Sequence, residues 1–240
     1  MAYEARDYRN RMETKDLVSF QVMIKETDLA ISAVSDLSEE AHRHLREIRR
    51  GLEQYLRKHP EFLSAMEPLT VNPDAPPLIR EMAKAGEAAG VGPMAAVAGA
   101  VAEAVGRKLL AQSPEVIVEN GGDIFLVSKR ERIISIEAGD SPFSRHIGIR
   151  IGKASPLGIC TSSGTVGHSI SFGKSDAVCV LAPSAALADA AATAAGNRVQ
   201  GPGDLREALD FLAQIPGISG GLIVFGKKMG AWGEVELVKL

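Results

Sequence analysis

The chain has 240 residues, of which 45% are hydrophobic, and its mean hydropathy is +0.04. A chain of this length and composition can bury a large core, so we expect a soluble globular protein. The formal net charge is only −3 and the basic residues are scattered apart from one cluster at residues 43–50, which argues against a nucleic-acid partner.

The sequence also bears on where the protein works. No charged-then-apolar leader begins the chain, and no apolar run is long enough to span a bilayer, so we expect neither secretion nor membrane insertion. Cys160 and Cys179 lie in apolar, strand-like segments, which favours reduced, buried thiols over a disulfide framework. We therefore expect a cytoplasmic protein without a membrane partner.

The N-terminal part predicts a hairpin followed by a helix. Residues 18–24 alternate in a strand-like way, residues 26–29 predict a turn, and residues 30–34 predict the return strand. Asp36 to Glu39 resemble a capping box, and apolar residues then recur at helical spacing until Pro60 prevents continuation. This spacing predicts an amphipathic helix with a charged outer face.

The middle of the chain predicts two helices. Residues 72–77 form a stiff, proline-rich connector, and residues 78–89 predict a helix that the next four residues break. Residues 94–110 predict a helix rich in alanine and glycine that is apolar on nearly every face. We interpret this second helix as the buried central helix of the fold.

The C-terminal half predicts strands, helices and a closing hairpin. We expect strands in residues 116–151, 159–161 and 177–181, helices at 184–196 and 204–215, and a final hairpin of residues 222–225 with 235–238. Helices and strands come in runs and not in strict alternation. This order favours an α+β fold with a mixed sheet.

The most informative motif is a double-glycine turn at Gly121 and Gly122, between two apolar strand-like runs. Glycine permits positive φ and, without a Cβ, lets a ligand approach the backbone N–H groups. Asn120 precedes the glycines, and Asp123 follows them with a carboxylate that can hold a hydroxyl, an amide or a cation. An ordinary hairpin turn is the alternative interpretation.

A second motif favours the functional interpretation. Asp189 and Thr193 are four residues apart in an alanine-rich predicted helix, so both side chains lie on one face. A carboxylate and a hydroxyl suit Mg²⁺, which takes one or two protein oxygens and leaves its other positions to water and phosphate. The alternative is that Asp189 is merely a favourable first-turn acid near Ser184, the expected N-cap.

A polar loop follows at residues 160–174. Its hydroxyls, glycines and lysine are typical of phosphate and nucleotide binding, although the spacing is not that of a P-loop. The candidate ligand contacts in this loop are Thr161, Ser162, Ser163, Gly164 and Lys174. His168 could be a general base near neutral pH, or it could simply hydrogen-bond a neighbouring turn.

In their order along the chain, these motifs resemble those of the ApbE-type flavin transferases. The resemblance rests on a small-residue helix, Asn-Gly-Gly-Asp-Ile at 120–124, Thr-Ser-Ser-Gly at 161–164, His168 and Ala-Asp-Ala-x-x-Thr at 188–193. The whole chain is most similar to a side branch of that superfamily, the UPF0280 proteins, including residues 25–29 and 91–99. The resemblance implies one ApbE-like domain over residues 1–240, with mixed sheet layers and a buried Ala/Gly-rich central helix.

The resemblance also implies chemistry. ApbE enzymes use Mg²⁺ to split FAD and attach FMN to a hydroxyl of a partner protein, so the resemblance implies a nucleotide substrate or ligand and an acceptor protein or metabolite. Asp189 and Thr193 match the family's metal-binding pair, and residues 121–123 match its flavin-side turn. His168 and Asp189 are the expected catalytic residues, while Glu103 matches an acid in the central helix.

The chain departs from the family pattern in three places. The run after His168 lacks the Asp-Pro and Thr-Gly elements, Ala98 replaces a helix lysine, and Met94-Ala95 replaces Gly-Gly. A non-catalytic flavin or nucleotide binder on the same fold is therefore the second hypothesis. The remaining hypotheses are an unrelated small-molecule enzyme and a structural or interaction protein. The sequence leaves open whether the chain forms a homodimer.

Overall fold

The structure, a computed structural model, describes residues 16–164 and 172–240. Its strands in these residues are β1 (Val18–Ile24), β2 (Thr27–Ala33), β3 (Val116–Asn120), β4 (Asp123–Ser128), β5 (Arg132–Ser135), β6 (Ile147–Ile151), β7 (Ala154–Ser162), β8 (Ala177–Ala182), β9 (Gly220–Phe225), β10 (Lys228–Gly233) and β11 (Glu236–Lys239). The helices are α1 (Ser38–Lys58), α2 (Pro60–Ser64), α3 (Pro77–Ala89), α4 (Val97–Leu109), α5 (Ala185–Arg198) and α6 (Leu205–Gln214), with a 3₁₀ turn at Pro93–Ala96 before α4.

The strands form two sheets. The larger has eight strands in the order β1-β2-β3-β4-β7-β8-β9-β10, and the smaller has three in the order β11-β6-β5. Every strand pair within the described residues is antiparallel. Helices cover one face of the large sheet and the small sheet packs on the other, with a separate apolar core on each face. The expected layered α+β fold is confirmed, although within the described residues both sheets are antiparallel where the sequence predicted a mixed sheet.

Small residues let α4 pack closely against its neighbours. A Cβ on Gly106 would lie 2.3 Å from the Phe125 ring of β4, so only glycine allows the helix to approach the sheet this closely. The prediction of a buried Ala/Gly-rich helix is confirmed for α4, and the alanine-rich α5 beside it is buried along most of its length. These two helices carry the candidate site.

The closing hairpin was predicted wrongly. β9 turns at Gly226 and Lys227 and pairs with β10, whereas β11 pairs with β6 in the small sheet. β10 has the sequence Lys-Met-Gly-Ala-Trp-Gly and contains no β-branched residue, so its composition does not indicate a strand. It forms because it continues a tight two-residue hairpin along the edge of the sheet.

Two smaller predictions near the N-terminus also need correction. The first hairpin turns at Lys25 and Glu26, so β2 begins at Thr27, inside the predicted turn. Helix α1 begins after Leu37, which has no capping side chain, and Asp36 instead accepts the N–H of Ser38. In both cases the predicted strand or helix forms, but its first residue or its cap differs from the prediction.

Among the described helices, none is by itself long and apolar enough to cross a bilayer. Residues Pro77–Ala89 and Pro93–Leu109 meet that criterion only when taken together, across a bend of 106°.

Candidate functional site

The glycine turn joins β3 to β4. Asn120 pairs with Asp123, so Gly121 and Gly122 form a two-residue loop, with φ of +68° and +104°. Such loops require positive φ, which glycine adopts without strain. A Cβ on Gly121 would meet nothing within 4 Å, and one on Gly122 would lie 3.6 Å from the carbonyl oxygen of Thr161. Backbone conformation, and not lack of space, therefore requires glycine here.

Asp123 lies at the start of β4 and is only 8% exposed. It pairs across the sheet with Cys160 of β7, on the face that the helices cover. Burial and the negative charge of Asp189 raise the pKa of Asp123 well above its ordinary value, against hydrogen bonds from Cys160 and the Thr161 backbone. The carboxylate is therefore shielded from solvent, with Cys160 and the Thr161 backbone as its hydrogen-bond partners, and it senses the charge of Asp189.

Asp189 is the second buried carboxylate of the site. Its Oδ2 accepts the backbone N–H of Gly99 at 2.9 Å, and the N–H of Ala98 is also within hydrogen-bonding reach. Burial outweighs these bonds and raises the pKa of Asp189 to about 7. The side-chain amide of Asn120 donates to the carbonyl oxygen of Ala98 at 3.0 Å, so the start of α4 contacts both motifs.

Asp189 does not act as a first-turn acid of α5. The helix begins at Ala185 and Ser184 is its N-cap, as the sequence predicted, with its hydroxyl accepting the N–H of Leu187. Asp189 is one turn further along the helix, and Thr193, which is half-buried, lies one turn beyond Asp189. The i, i+4 spacing places their oxygens on the same side of α5.

The stems of the polar loop lie beside the same helix. The N–H of Gly164 donates to the carbonyl oxygen of Ser175 at 2.9 Å, which joins the two stems. The N–H of Lys174 donates to the carbonyl oxygen of Val199, just after α5, at 2.8 Å. A Cβ on Gly173 would lie 1.8 Å from the carbonyl oxygen of Gly196 in α5. Of the candidate loop residues, Ser162 is buried, Thr161 and Ser163 are half-buried, and Gly164 and Lys174 are exposed. His168 lies outside the described residues.

Sequence reasoning missed two contributors to the site, and it gave Glu103 only as a match to a family acid, without its role. Cys160 lies beside Asp123, and the backbone N–H groups at the start of α4 reach Asp189. Glu103 of α4 accepts the N–H of Ala185 at 2.7 Å and the hydroxyl of Ser184 at 3.0 Å, so it caps α5. Of these contacts, only the ion pair between Glu103 and Arg107 could be predicted from the sequence, because the two residues are four apart on one helix.

The donor set determines which cation would fit. The described residues contain no group of three or more His, Cys, Asp or Glu side chains arranged to hold a metal, which is the set that zinc requires. Burial and the nearby carboxylates raise the pKa of Cys160 well above its ordinary value, so the thiol stays protonated. Two buried carboxylates with a nearby hydroxyl suit a hard cation that keeps some of its water, as Mg²⁺ does.

Sequence comparisons give several close relatives. A family model described as "AbpE bacteria" matches residues 9–210. A UPF0280 protein of Methanocaldococcus jannaschii is 43% identical over 228 residues, covering 91% of this chain and 92% of its own. A UPF0280 protein of Methanococcus aeolicus is 38% identical over 232 residues and covers 93% of each chain.

Solved structures share the fold. The apo form of flavinyl transferase ApbE from Pseudomonas stutzeri matches with a TM-score of 0.60 at 16% identity, over 90% of this chain and 94% of its own. Flavin transferase ApbE from Vibrio cholerae matches with a TM-score of 0.59 at 16% identity, over 90% of this chain and 96% of its own. At such low identity these matches demonstrate a common fold.

Proposed function

The chain belongs to the UPF0280 family, and from that premise we propose that it is an Mg²⁺-dependent protein that uses FAD or a related flavin nucleotide. The two solved structures from Pseudomonas stutzeri and Vibrio cholerae that share its fold are named as flavin transferases, which supports a flavin-related ligand. The geometry around Asp123 and Asp189 supports a role for a cation.

The pairing of Asp123 with Asp189 is the strongest support for cation binding. Each carboxylate is at most 9% exposed, and each has a pKa raised by burial. Two buried carboxylates repel one another unless a proton or a cation lies between them. A divalent cation would neutralise both charges at neutral pH, and the two carboxylates would then serve as a cation-binding site.

The surrounding residues suggest how ligands would be held. Asp189 and Thr193 would hold the cation from α5, with Asp123 opposite them. Gly121 and Gly122 would present bare backbone to the flavin portion, and the loop residues Thr161 to Gly164 with Lys174 would contact phosphate oxygens. The chemistry that bound Mg²⁺ supplies is neutralisation of phosphate charge.

Transfer of FMN would be the full reaction. The oxygen of an acceptor hydroxyl, on a protein or a metabolite, forms a bond to the phosphorus of the FMN half of FAD. The bond from that phosphorus to the bridging oxygen breaks, and AMP leaves with the electron pair. The proton of the hydroxyl passes to a base, for which His168 is the sequence-based candidate.

A non-catalytic flavin or nucleotide binder is the second candidate. Two departures from the ApbE pattern favour it. Ala98 replaces the helix lysine of the ApbE enzymes, and the Asp-Pro and Thr-Gly elements are missing after His168. For either function we propose a cytoplasmic location. Both cysteines are free thiols buried in strands, and reduced thiols are typical of cytoplasmic proteins.

Incubation with FAD and Mg²⁺ tests the function. Chromatography should show AMP released slowly alone and faster with a suitable hydroxyl acceptor, and Asp189→Ala should abolish the release. Intact FAD that co-elutes with the protein, without AMP for any acceptor, would identify a binder. If FAD neither binds nor is split with Mg²⁺ present, both candidates are wrong.

A further inference from the structure

Phe172 is an aromatic side chain that the fold leaves in solvent. Its ring is 61% exposed, the largest exposed fraction of any large hydrophobic side chain in residues 16–164 and 172–240. Single exposed apolar side chains are common on protein surfaces, so exposure alone assigns no role to the ring. Its backbone contacts and its position beside the candidate site are more informative.

The backbone of Phe172 is fixed against the end of α5. Its N–H donates to Oδ1 of Asn197 at 2.9 Å, and its carbonyl oxygen accepts the side-chain amide of Gln200 at 2.8 Å. The next residue, Gly173, packs so closely on Gly196 of α5 that a Cβ would not fit between them. An aromatic ring on a fixed backbone can bind another ring with little loss of conformational freedom. Phe172 therefore offers a preformed flat surface.

Asn197 places this ring in line with the candidate cation site. Asp189, Thr193 and Asn197 are spaced four residues apart in α5, so their side chains lie in one row along the helix. With a rise of about 1.5 Å per residue, the row extends about 12 Å from Asp189 to Asn197. Asp189 is buried and the other two residues are half-buried. The row therefore leads from the buried carboxylate to the residue that holds Phe172.

The glycine turn lies near the Asp189 end of this row. Asn120, just before the turn, donates to the carbonyl oxygen of Ala98, and the adjacent Gly99 donates to Asp189. A long ligand that spans the site therefore meets the glycine turn at one end, the oxygens of α5 in the middle, and Phe172 at the other end.

We propose that the ring of Phe172 stacks on the adenine of the nucleotide ligand, which is FAD in the proposed function. The identity of the ligand rests on that function, and the stacking assigns a contact to its adenosine half. FAD carries a planar ring system at each end of a diphosphate. With the diphosphate at the cation held by Asp189 and Thr193 and the flavin at the glycine turn, the adenine lies toward Phe172.

The chemistry around the ring suits such a ligand. Every base presents a flat π surface, so stacking on an aromatic side chain needs no particular hydrogen bond. Lys174, two residues further along the chain, is exposed, and its positive charge favours a phosphate-bearing ligand beside the ring. The same contact serves an enzyme that splits FAD and a protein that only binds it.

Calorimetric titration with FAD and with ADP, both with Mg²⁺ present, tests the contact. Phe172→Ala should weaken the binding of both ligands by roughly 5-fold to 150-fold, the range for alanine substitutions at stacked bases. FMN has no adenine, so its dissociation constant should be the same for the two proteins. Because the ring is exposed, Phe172→Ala should melt at the wild-type temperature.

Three further variants separate stacking from other effects. Phe172→Trp keeps an aromatic face and should bind FAD as tightly as the wild type. Phe172→Leu keeps an apolar side chain without a flat ring and should bind about as weakly as Phe172→Ala. Trp232→Ala is the matched control, since it removes another exposed aromatic ring at the far end of the large sheet, opposite Gly221. It should leave the affinities for FAD and ADP unchanged.

The two ligands separate the possible outcomes. Equal FAD affinity in wild type and Phe172→Ala would overturn the proposal. A loss confined to FAD, with ADP unaffected or unbound, would also overturn it, because the ring would then contact the flavin. If ADP binds and depends on Phe172 while FAD does not bind, the adenine contact stands and the flavin-related function is wrong. If neither ligand binds the wild-type chain, both proposals are wrong.

Discussion

The backbone N–H of Gly99 donates a 2.9 Å hydrogen bond to the carboxylate of Asp189, and this bond joins α4 to α5 at the centre of the candidate site. A Cβ on residue 99 would lie 2.2 Å from the carbonyl oxygen of Ala185 and 2.9 Å from the Cβ of Asp189. The two helices can therefore approach closely enough to form the bond only because residue 99 is glycine.

Gly99→Ala should force the two helices apart. We expect a loss of about 1–3 kcal/mol in the free energy of unfolding, as for other overpacked cores. Urea unfolding measures this loss. Gly51→Ala in α1 is the control, because a Cβ there meets nothing within 4 Å and should stabilise the helix by about 0.5–1 kcal/mol. Equal stability of Gly99→Ala and wild type would contradict the close contact.

Asp189→Asn should remove Mg²⁺ binding. Asparagine has the size of aspartate and keeps an oxygen for the Gly99 bond, so the change removes charge with little change in packing. Calorimetric titration should show weak Mg²⁺ binding to the wild type, strengthened by FAD, and none to the variant. Asp210→Asn on the outer face of α6 is the control, and equal Mg²⁺ affinity in wild type and Asp189→Asn would disprove the site.

Gly122→Val should cost both stability and ligand affinity. Its φ of +104° is strained for a β-branched residue, with an expected cost of about 1–3 kcal/mol. The new side chain would also cover backbone that a flavin would contact. Gly152→Val, at a glycine with open space and ordinary φ, should change neither property. If Gly122→Val melts and binds FAD like the wild type, the turn is neither strained nor a binding surface.

Neither cysteine should react in the folded protein. Burial raises the pKa of Cys179 to about 12, and burial with the Asp123 charge raises the pKa of Cys160 well above its ordinary value. A thiol reagent at pH 8 should therefore label no cysteine in the native chain and both after unfolding in urea. Rapid labelling of the native protein would show that one thiol is accessible and ionised.

An ion cluster around the buried Arg132 should make stability depend on pH. Arg132, only 2% exposed, lies 2.5 Å from Asp16 and 3.4 Å from Glu115. The bond from Arg132 lowers the pKa of Asp16. Burial alone would raise the pKa of Glu115, but the Lys129 N–H, the Ser128 hydroxyl and Arg132 together lower it.

Both carboxylates bind protons more weakly in the folded chain than in the unfolded chain. Their contribution to stability is therefore complete above the ordinary pKa values of 3.8 and 4.5 and is lost as pH falls through the lowered values. Melting temperatures between pH 7 and pH 3 should fall in the wild type, and less steeply in Asp16→Asn. Parallel curves for the two proteins would mean that Asp16 contributes nothing to this dependence.

Features that depend only on residues close together in the sequence could be predicted from the sequence. Two consecutive glycines between apolar runs indicate the sharp turn at Gly121, because positive φ is a property of the residue itself. The four-residue spacing of Asp189 and Thr193, with Ser184 as N-cap, places both oxygens on one face of α5 wherever that helix packs.

Tertiary structure decided what these motifs meet. Asp123, Cys160 and Asp189 come from β4, β7 and α5, and they lie together only because β7 pairs with β4 and α5 covers both strands. Likewise, β10 is a strand because it pairs with β9 in a hairpin, and β11 pairs with β6 in the small sheet. Strand order depends on how the whole core is buried, and no local pattern of residues encodes it.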